Sequence, residues 1–418
     1  MTLAALKIPL LLAALAGASP AEARPPGGAE DATPWTLDRV KFGLFGGAFD
    51  GKEVRTDSGG VALLEAQATP ALKTGAWKVE IPLRFHHLQT FGASLSETYG
   101  SARAAVENRV SKALRLGANV GFSGAWRPGW PDLYQPKATA GGVELGRTDR
   151  YGFFAWQAGV GAGIVPFARN HLRLKYEYVH SSYVADRNFD PQANPMHLTP
   201  RDNGRHRVEG SWRLLGDGYA ATARIDWERR LDEVYLARHA ISGVTGFYTT
   251  PLQRLDRLEP SVEVSLKRIG GRLDLSFFYG YQIQDDLFEG YYSYTGHHPR
   301  LALECALTER LSGAVRAEAW LREYGPNSKA AGLPPEPATS GSGHLESGTR
   351  LYDRKSAVSA TVSYALTKQV HAKVTGEWAR RLTNYPDYLP GVFPSTKLYD
   401  IEWSYVNTLL LAGVEFRL

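Results

Sequence analysis

The residues of this chain whose types could do chemistry are few and scattered. His180-Ser181-Ser182 sets a base beside two hydroxyls. Such a trio points to hydrolase chemistry, in which nucleophile, base and orienting group must lie in mutual reach. One His beside two Ser at a strand end does not show such a set. His86-His87 and His297-His298 are adjacent pairs. On a strand such neighbours point to opposite faces, which works against chelation. Asp285-Asp286 with Glu289 could meet a calcium ion, but EF-hand spacing is absent, and solvated loop acids are the plainer reading. Cys305 is the single cysteine and reads as a small apolar residue on a strand. No Gly-x-Ser-x-Gly elbow, phosphate-binding loop or dinucleotide fingerprint occurs. The sequence therefore predicts no catalytic residue, no cofactor and no metal.

A larger set of ionisable residues is periodic rather than clustered. In Trp77–His86, Trp77, Val79, Ile81, Leu83 and Phe85 share one face, and Lys78, Glu80, Pro82, Arg84 and His86 share the other. Leu311–Arg322 alternates in the same way. Period-two alternation is the mark of a strand with unlike faces. These runs are about twice the ~5–6 residues of a soluble strand and match the ~9–11 residues of a tilted membrane strand.

The runs are joined unevenly. Tight connections occur at Ser111-Lys112-Ala113, Pro166–Asn170, Gly216-Asp217-Gly218, Ile269-Gly270-Gly271, Thr308-Glu309-Arg310 and Thr367-Lys368-Gln369. Long polar stretches rich in Pro, Gly and Asn separate the hairpins, at Arg127–Arg150, Asp186–Gly204, Gly325–Thr349 and Pro386–Ile401. Short turns at one end and long loops at the other are the habit of membrane barrels. The predicted fold is all-β: one antiparallel up-and-down transmembrane barrel of about 16 strands (range about 14–18). Its first two strands are expected at Leu37–Phe49 and Gly60–Ala68, unless that stretch forms a plug or an irregular arm.

With 418 residues and a net charge of +5, the chain is too weakly basic to imply a nucleic-acid partner. Lys7, the apolar run Ile8–Leu15 and Ala21-Glu22-Ala23 read as a signal peptide over residues 1–23. Residues 24–35 are expected to be a periplasmic segment, and 36–418 the barrel.

The last eight residues, Leu411-Ala412-Gly413-Val414-Glu415-Phe416-Arg417-Leu418, resemble the C-terminal signal strand of Gram-negative outer-membrane β-barrels. Gly413, Phe416 and Leu418 stand at its glycine, aromatic and closing apolar positions. Leu418 departs from the commoner Phe, and Leu411 from the usual polar residue. The resemblance implies the cell outer membrane, contact with its lipid and lipopolysaccharide, and insertion by the barrel assembly machinery.

Under that assignment the apolar face meets lipid and the polar face lines the lumen. The lipid face takes Leu172, Leu174, Tyr176 and Tyr178, then Leu273, Leu275, Phe277, Tyr279 and Tyr281. Trp212, Trp227 and Trp378 suit aromatic girdles at strand ends. The lumen face takes Lys78, Glu80, Arg84, Arg103, Glu107, Arg109, Arg173, Lys175, Glu177, Arg207, Glu209 and Arg213. It continues with Arg224, Asp226, Glu228, Arg230, Arg272, Asp274, Arg316, Glu318, Arg322, Lys373, Glu377 and Arg381. Such charges either brace the wall as cross-strand pairs or make a mildly anion-favouring pore. The expected function is a channel for polar, anionic or carbohydrate material, not an enzyme. Polysaccharide export, with Phe278 and Trp320 facing the cargo and a periplasmic export protein as partner, is the more specific version. A barrel enzyme acting on lipid or lipopolysaccharide, and a structural or adhesive barrel, stay open as alternatives.

Overall fold

The computed structural model describes residues 35–51, 59–91, 96–126, 130–139, 142–148, 152–183, 202–238, 248–287, 292–324, 352–383 and 405–417. Residues 1–34, the loop residue Glu289, the segment 325–351 and Leu418 lie outside them. The wall opens with β1 (Trp35–Gly51), β2 (Gly59–Thr74), β3 (Trp77–Glu80), β4 (Leu83–Phe91), β5 (Ser96–Arg109) and β6 (Leu114–Trp126). A separate hairpin, β7 (Trp130–Thr139) and β8 (Gly142–Thr148), occupies the stretch read from sequence as an unstructured loop. The wall resumes with β9 (Phe153–Ile164), β10 (Asn170–Tyr183), β11 (Asn203–Leu215), β12 (Tyr219–Arg238), β13 (Tyr248–Ile269) and β14 (Leu273–Asp286). It ends with β15 (Tyr294–Ala306), β16 (Leu311–Tyr324), β17 (Tyr352–Ala365), β18 (Val370–Thr383) and β19 (Tyr405–Arg417).

Neighbours in sequence are neighbours in the wall, and every pairing is antiparallel. β3 and β4 are two halves of one strand, since β2 and β5 pair with both. Counted as one, they give a closed barrel of 16 strands. The break falls at Ile81-Pro82, where proline removes a backbone donor. The ladder survives it: Ile81 N–H donates to the Pro70 carbonyl (2.9 Å), and the Pro82 carbonyl accepts from Arg103 N–H (3.2 Å).

Closure is made by β1 against β19, in register from Lys41↔Arg417 to Gly51↔Asn407. The upstream pair of strands is therefore part of the wall. At this seam both faces are apolar. Phe42, Leu44 and Leu410 are exposed on the outside, while Phe45, Val61 and Leu411 are buried on the inside with Leu63, Leu88 and Leu409 packed against them. The two backbones meet closely at glycine. A Cβ on Gly413 would collide with the Leu44 carbonyl oxygen, and one on Gly47 with that of Leu410.

Three of the short turns share one chemistry. The Ser111 hydroxyl accepts from the amides of Ala113 (3.2 Å) and Leu114 (3.0 Å). Thr308 does the same for Arg310 (3.2 Å) and Leu311 (2.9 Å), and Thr367 for Gln369 (3.1 Å) and Val370 (3.0 Å). A side-chain oxygen thus takes the amides two and three residues after it, within the turn itself. Other turns use left-handed backbone, at Gly75 (φ 55), Gly218 (φ 85) and Gly270-Gly271 (φ 58 and 80).

Gly413→Val should prevent closure, because the added carbon meets fixed backbone. Heat-modifiable gel migration after refolding is expected to show loss of the folded species. Gly210→Val, where a Cβ meets nothing within 4 Å, should leave it intact.

Candidate functional site

The outward register is a lipid surface in its lower part and an aromatic belt above. Leu172, Leu174, Ile225, Val262, Val264, Phe277, Leu301, Val315 and Val374 are exposed apolar residues on it. Nearer the long-loop end Tyr176 bonds His206 (2.9 Å) and Tyr279 bonds His297 (2.6 Å). Trp156 packs on Tyr178 and His180. His180 Nε2 and Ser182 Oγ lie 3.1 Å apart within this belt, whereas Ser181 turns to the inner face. The trio is thus split between two faces of the wall. The adjacent histidines are split likewise. His86 meets Glu97 (2.8 Å) inside, and His87 meets Thr98 (2.8 Å) outside. Among the described residues no group of three or more His, Cys, Asp and Glu is placed to hold a metal. Asp286 is engaged locally: Tyr292 N–H donates to its carboxylate (3.2 Å). Trp212 stands near the turn that follows Leu215 and donates to Asn170 (3.0 Å). Trp227 and Trp378 sit mid-strand, not at strand ends as the sequence suggested, since each β-ladder continues well past them.

The inward register carries the charge. Lys78 pairs with Glu80 (2.7 Å) on β3, and Arg84 follows on β4. Arg115 of β6 pairs with Glu107 of β5 (3.2 Å), directly above Arg109. Arg103 of β5 reaches Glu177 of β10 (3.1 Å), which Lys175 also holds (3.0 Å). That contact passes over β6 and β9, where Gly121 and Gly159 leave the wall low. On β11 and β12, Arg207 bonds Glu228, which Arg257 approaches at 3.7 Å. Arg230 holds Asp232 (2.5 Å), and Arg224 stands 4.0 Å from Glu209. Asp226 faces Glu209 across the β11–β12 ladder. Arg381 grips Asp353 with two bonds (2.8 and 3.1 Å), and Lys373 lies 3.6 Å from Glu415. Arg272 alone leaves the wall: it stands in the turn before β14 and donates to the Leu307 carbonyl (3.5 Å). The Gly270-Gly271 turn runs one residue longer than the sequence pattern implied, so Arg272 belongs to it.

One inner cluster escaped the sequence reading. His298 bridges Glu259 (3.0 Å) and Glu318 (2.7 Å), and Glu318 also takes Arg316 (2.6 Å). Trp320 stacks on the His298 ring at 4.9 Å, and Phe278 meets it edge-on at 5.0 Å. Arg300 covers Phe278 at 4.6 Å. Gln282 donates to Glu259 (3.0 Å) and accepts from Arg322 (3.4 Å). The signal was present, since His298 continues the inward alternation of Arg300, Ala302 and Glu304.

Not every inner cation is used. Arg84, Arg109, Arg173 and Arg213 have no side-chain partner among the described residues, and all four lie between β4 and β11. Carboxylates without an ion pair include Asp226, Glu304 and Glu377, on β12, β15 and β18. The four unpaired arginines thus share one arc of the bore.

No protein-family model matches this chain, and no curated protein does. Solved structures resemble it in form. The outer membrane channel DcaP of Acinetobacter baumannii is 10% identical with a TM-score of 0.47, covering 94% of this chain and 100% of that one. OmpT of Vibrio cholerae is 10% identical (TM-score 0.44; 94% and 100% covered), and OccD3 of Pseudomonas aeruginosa 9% (TM-score 0.42; 95% and 95%). At such identities nothing about this lumen follows from theirs. The closed wall and its apolar exterior make the chain a multi-pass β-barrel of the outer membrane.

Val315 and Ala314 are chain neighbours on opposite faces, and Ala314 lies opposite Glu304. Val315→Arg should destabilise the barrel by about 2–4 kcal/mol near the bilayer midplane. Ala314→Arg should change stability by less than ~0.5 kcal/mol. Urea unfolding in lipid vesicles measures both.

Proposed function

We propose that this barrel is an outer-membrane channel for polar solutes, with lumen charges biasing it towards anions. The observation that carries the reading is the exposure of charged side chains on the inner register: Arg316 is 52% exposed, Arg115 51% and Arg207 43%. Inside a barrel filled by its own side chains these groups would be packed away. Here they face water-sized space, as expected of a wall of about 16 strands, too wide to fill itself. The unused arginines between β4 and β11 supply the anion bias.

The more specific version is passage of hydroxyl-rich chains outward from the periplasm, with a periplasmic export protein delivering them. The stacked Trp320 and His298 rings beside Phe278, flanked by Arg300, Glu318 and Arg322, support it as a face with apolar planes and hydrogen-bonding edges. The enzyme reading has less support, because its His180 and Ser182 belong to the outward aromatic belt and Ser181 points the other way.

Single-channel recording in planar bilayers tests the channel. Stepwise conductance with a reversal potential displaced towards the anion is expected. Joint replacement of Arg84, Arg173 and Arg213 by Glu should move it to cation preference. A folded barrel that never conducts would overturn the proposal. Unchanged surface polysaccharide after gene deletion would overturn the export version alone.

A further inference from the structure

The lumen wall is recessed where β6 and β9 meet. Gly117 of β6 and Gly161 and Gly163 of β9 occupy inward positions there, Gly117 opposite Gly161 and Gly163 opposite Arg115 in the ladder. Their neighbours supply long side chains on both sides, so a hollow of about 410 Å³ is left between them. That is enough for a small ligand, since binding clefts run upward from ~300 Å³. Five cations, Lys78, Arg103, Arg115, Arg173 and Lys175, line it against two carboxylates, Glu80 and Glu107. The carboxylates are committed. Glu80 pairs with Lys78 and Glu107 with Arg115, while Arg103 and Lys175 are both taken by Glu177, which lies outside the lining. Arg173 is left over, exposed and with no partner among the described residues. At the rim Arg109 directly opposes Arg115 across the β5–β6 ladder, a like-charge pairing that weakens a sheet. Bracing of the wall explains neither feature.

A second group in the hollow is also unsatisfied. Asn119 lines it, and its side-chain oxygen is buried with no hydrogen-bond partner. A buried acceptor of that kind carries an energetic penalty unless a donor fills it. The hollow therefore presents an unused guanidinium, and a turn of the Asn119 side chain would bring its unused acceptor to the same space. The turns at residues 111–113 and 165–169 place it at the periplasmic end of the bore.

We propose that this recess is a binding site for an oxyanion that also carries a hydroxyl, a sugar acid being the simplest form. Arg173 takes the carboxylate, since a guanidinium offers paired donors that match two oxygens. Asn119 accepts from the hydroxyl, and the bare glycine backbone lets the ring approach the wall. The proposal rests on the lumen being a water-filled passage, because the site opens on it. It adds a solute class and a point of capture.

Titration calorimetry on the folded barrel in detergent micelles tests it with three probes: D-glucuronate, D-glucose and acetate. Glucuronate is expected to bind at least tenfold more tightly than either of the others. Arg173→Ala should remove that preference. Asn119→Ala should bring glucuronate down to the level of acetate. Gly163→Val should abolish binding with every cation kept, because its Cβ points into the hollow and lies 3.9 Å from the nearest backbone oxygen. Equal binding of glucuronate and glucose, or wild-type affinity in Arg173→Ala, would overturn the site. Conductance measured on the same preparations keeps the two readings apart. A barrel that conducts without binding glucuronate sinks the site alone, and one that binds it without conducting sinks the channel alone.

Discussion

Everything in this molecule depends on the pairing of its first strand with its last. In hydrocarbon an unpaired backbone N–H or C=O costs several kcal/mol, so a sheet can cross only if it has no edge. The ladder from Lys41↔Arg417 to Gly51↔Asn407 removes both edges at once. The sequence around it is built for that task. Gly47 and Gly413 permit close approach, and Phe45, Val61 and Leu411 form an inner apolar knot on a register that elsewhere carries the charge. Lys373 extends from β18 to lie over the Phe45 ring at 5.6 Å, so the knot is roofed by the stem and charge of a lumen residue.

Once the ring is closed, alternation distributes the chemistry. Each strand delivers one set of side chains to lipid and the other to the bore. Arginine and glutamate therefore gather inside without any local cluster in the sequence. The inner charges then arrange themselves by reach rather than by order. Arg103 finds Glu177 across two strands, and His298 finds one carboxylate on either side. Bracing and surplus coexist. The paired groups stiffen the wall, and the four unpaired arginines lie together on one arc of it.

How far this could be read from the chain alone varies from element to element in a physically sensible way. Leu114–Trp126 and Leu311–Tyr324 are legible to the residue, because hydroxyl-capped turns punctuate one end of each. The start of β15 at Tyr294 is not, since Gly296 and Pro299 blur the alternation before Leu301. The β7–β8 hairpin hides among prolines and glycines. The inner apolar knot is invisible to a rule that sends every apolar residue outward. Face is readable from parity, whereas partnership depends on the stagger between strands. That is why Arg173 and Arg207 look alike in sequence, although only one of them has a carboxylate within reach.

The bare stretch of wall formed by β6 and β9 has a thermodynamic side. Most of the lumen is covered by arginine, lysine and glutamate, whose many rotamers must be stilled when a solute settles on them, at ~1.5–2 kcal/mol for each one fully fixed. Gly117, Gly161 and Gly163 have no rotamers to lose. The backbone beneath them is already held by ladders on both sides. A solute resting there meets a surface ordered before it arrives, so contact with it carries a smaller entropic penalty than contact with the arginines and lysines around it. An empty stretch of wall is, in that sense, a preorganised one.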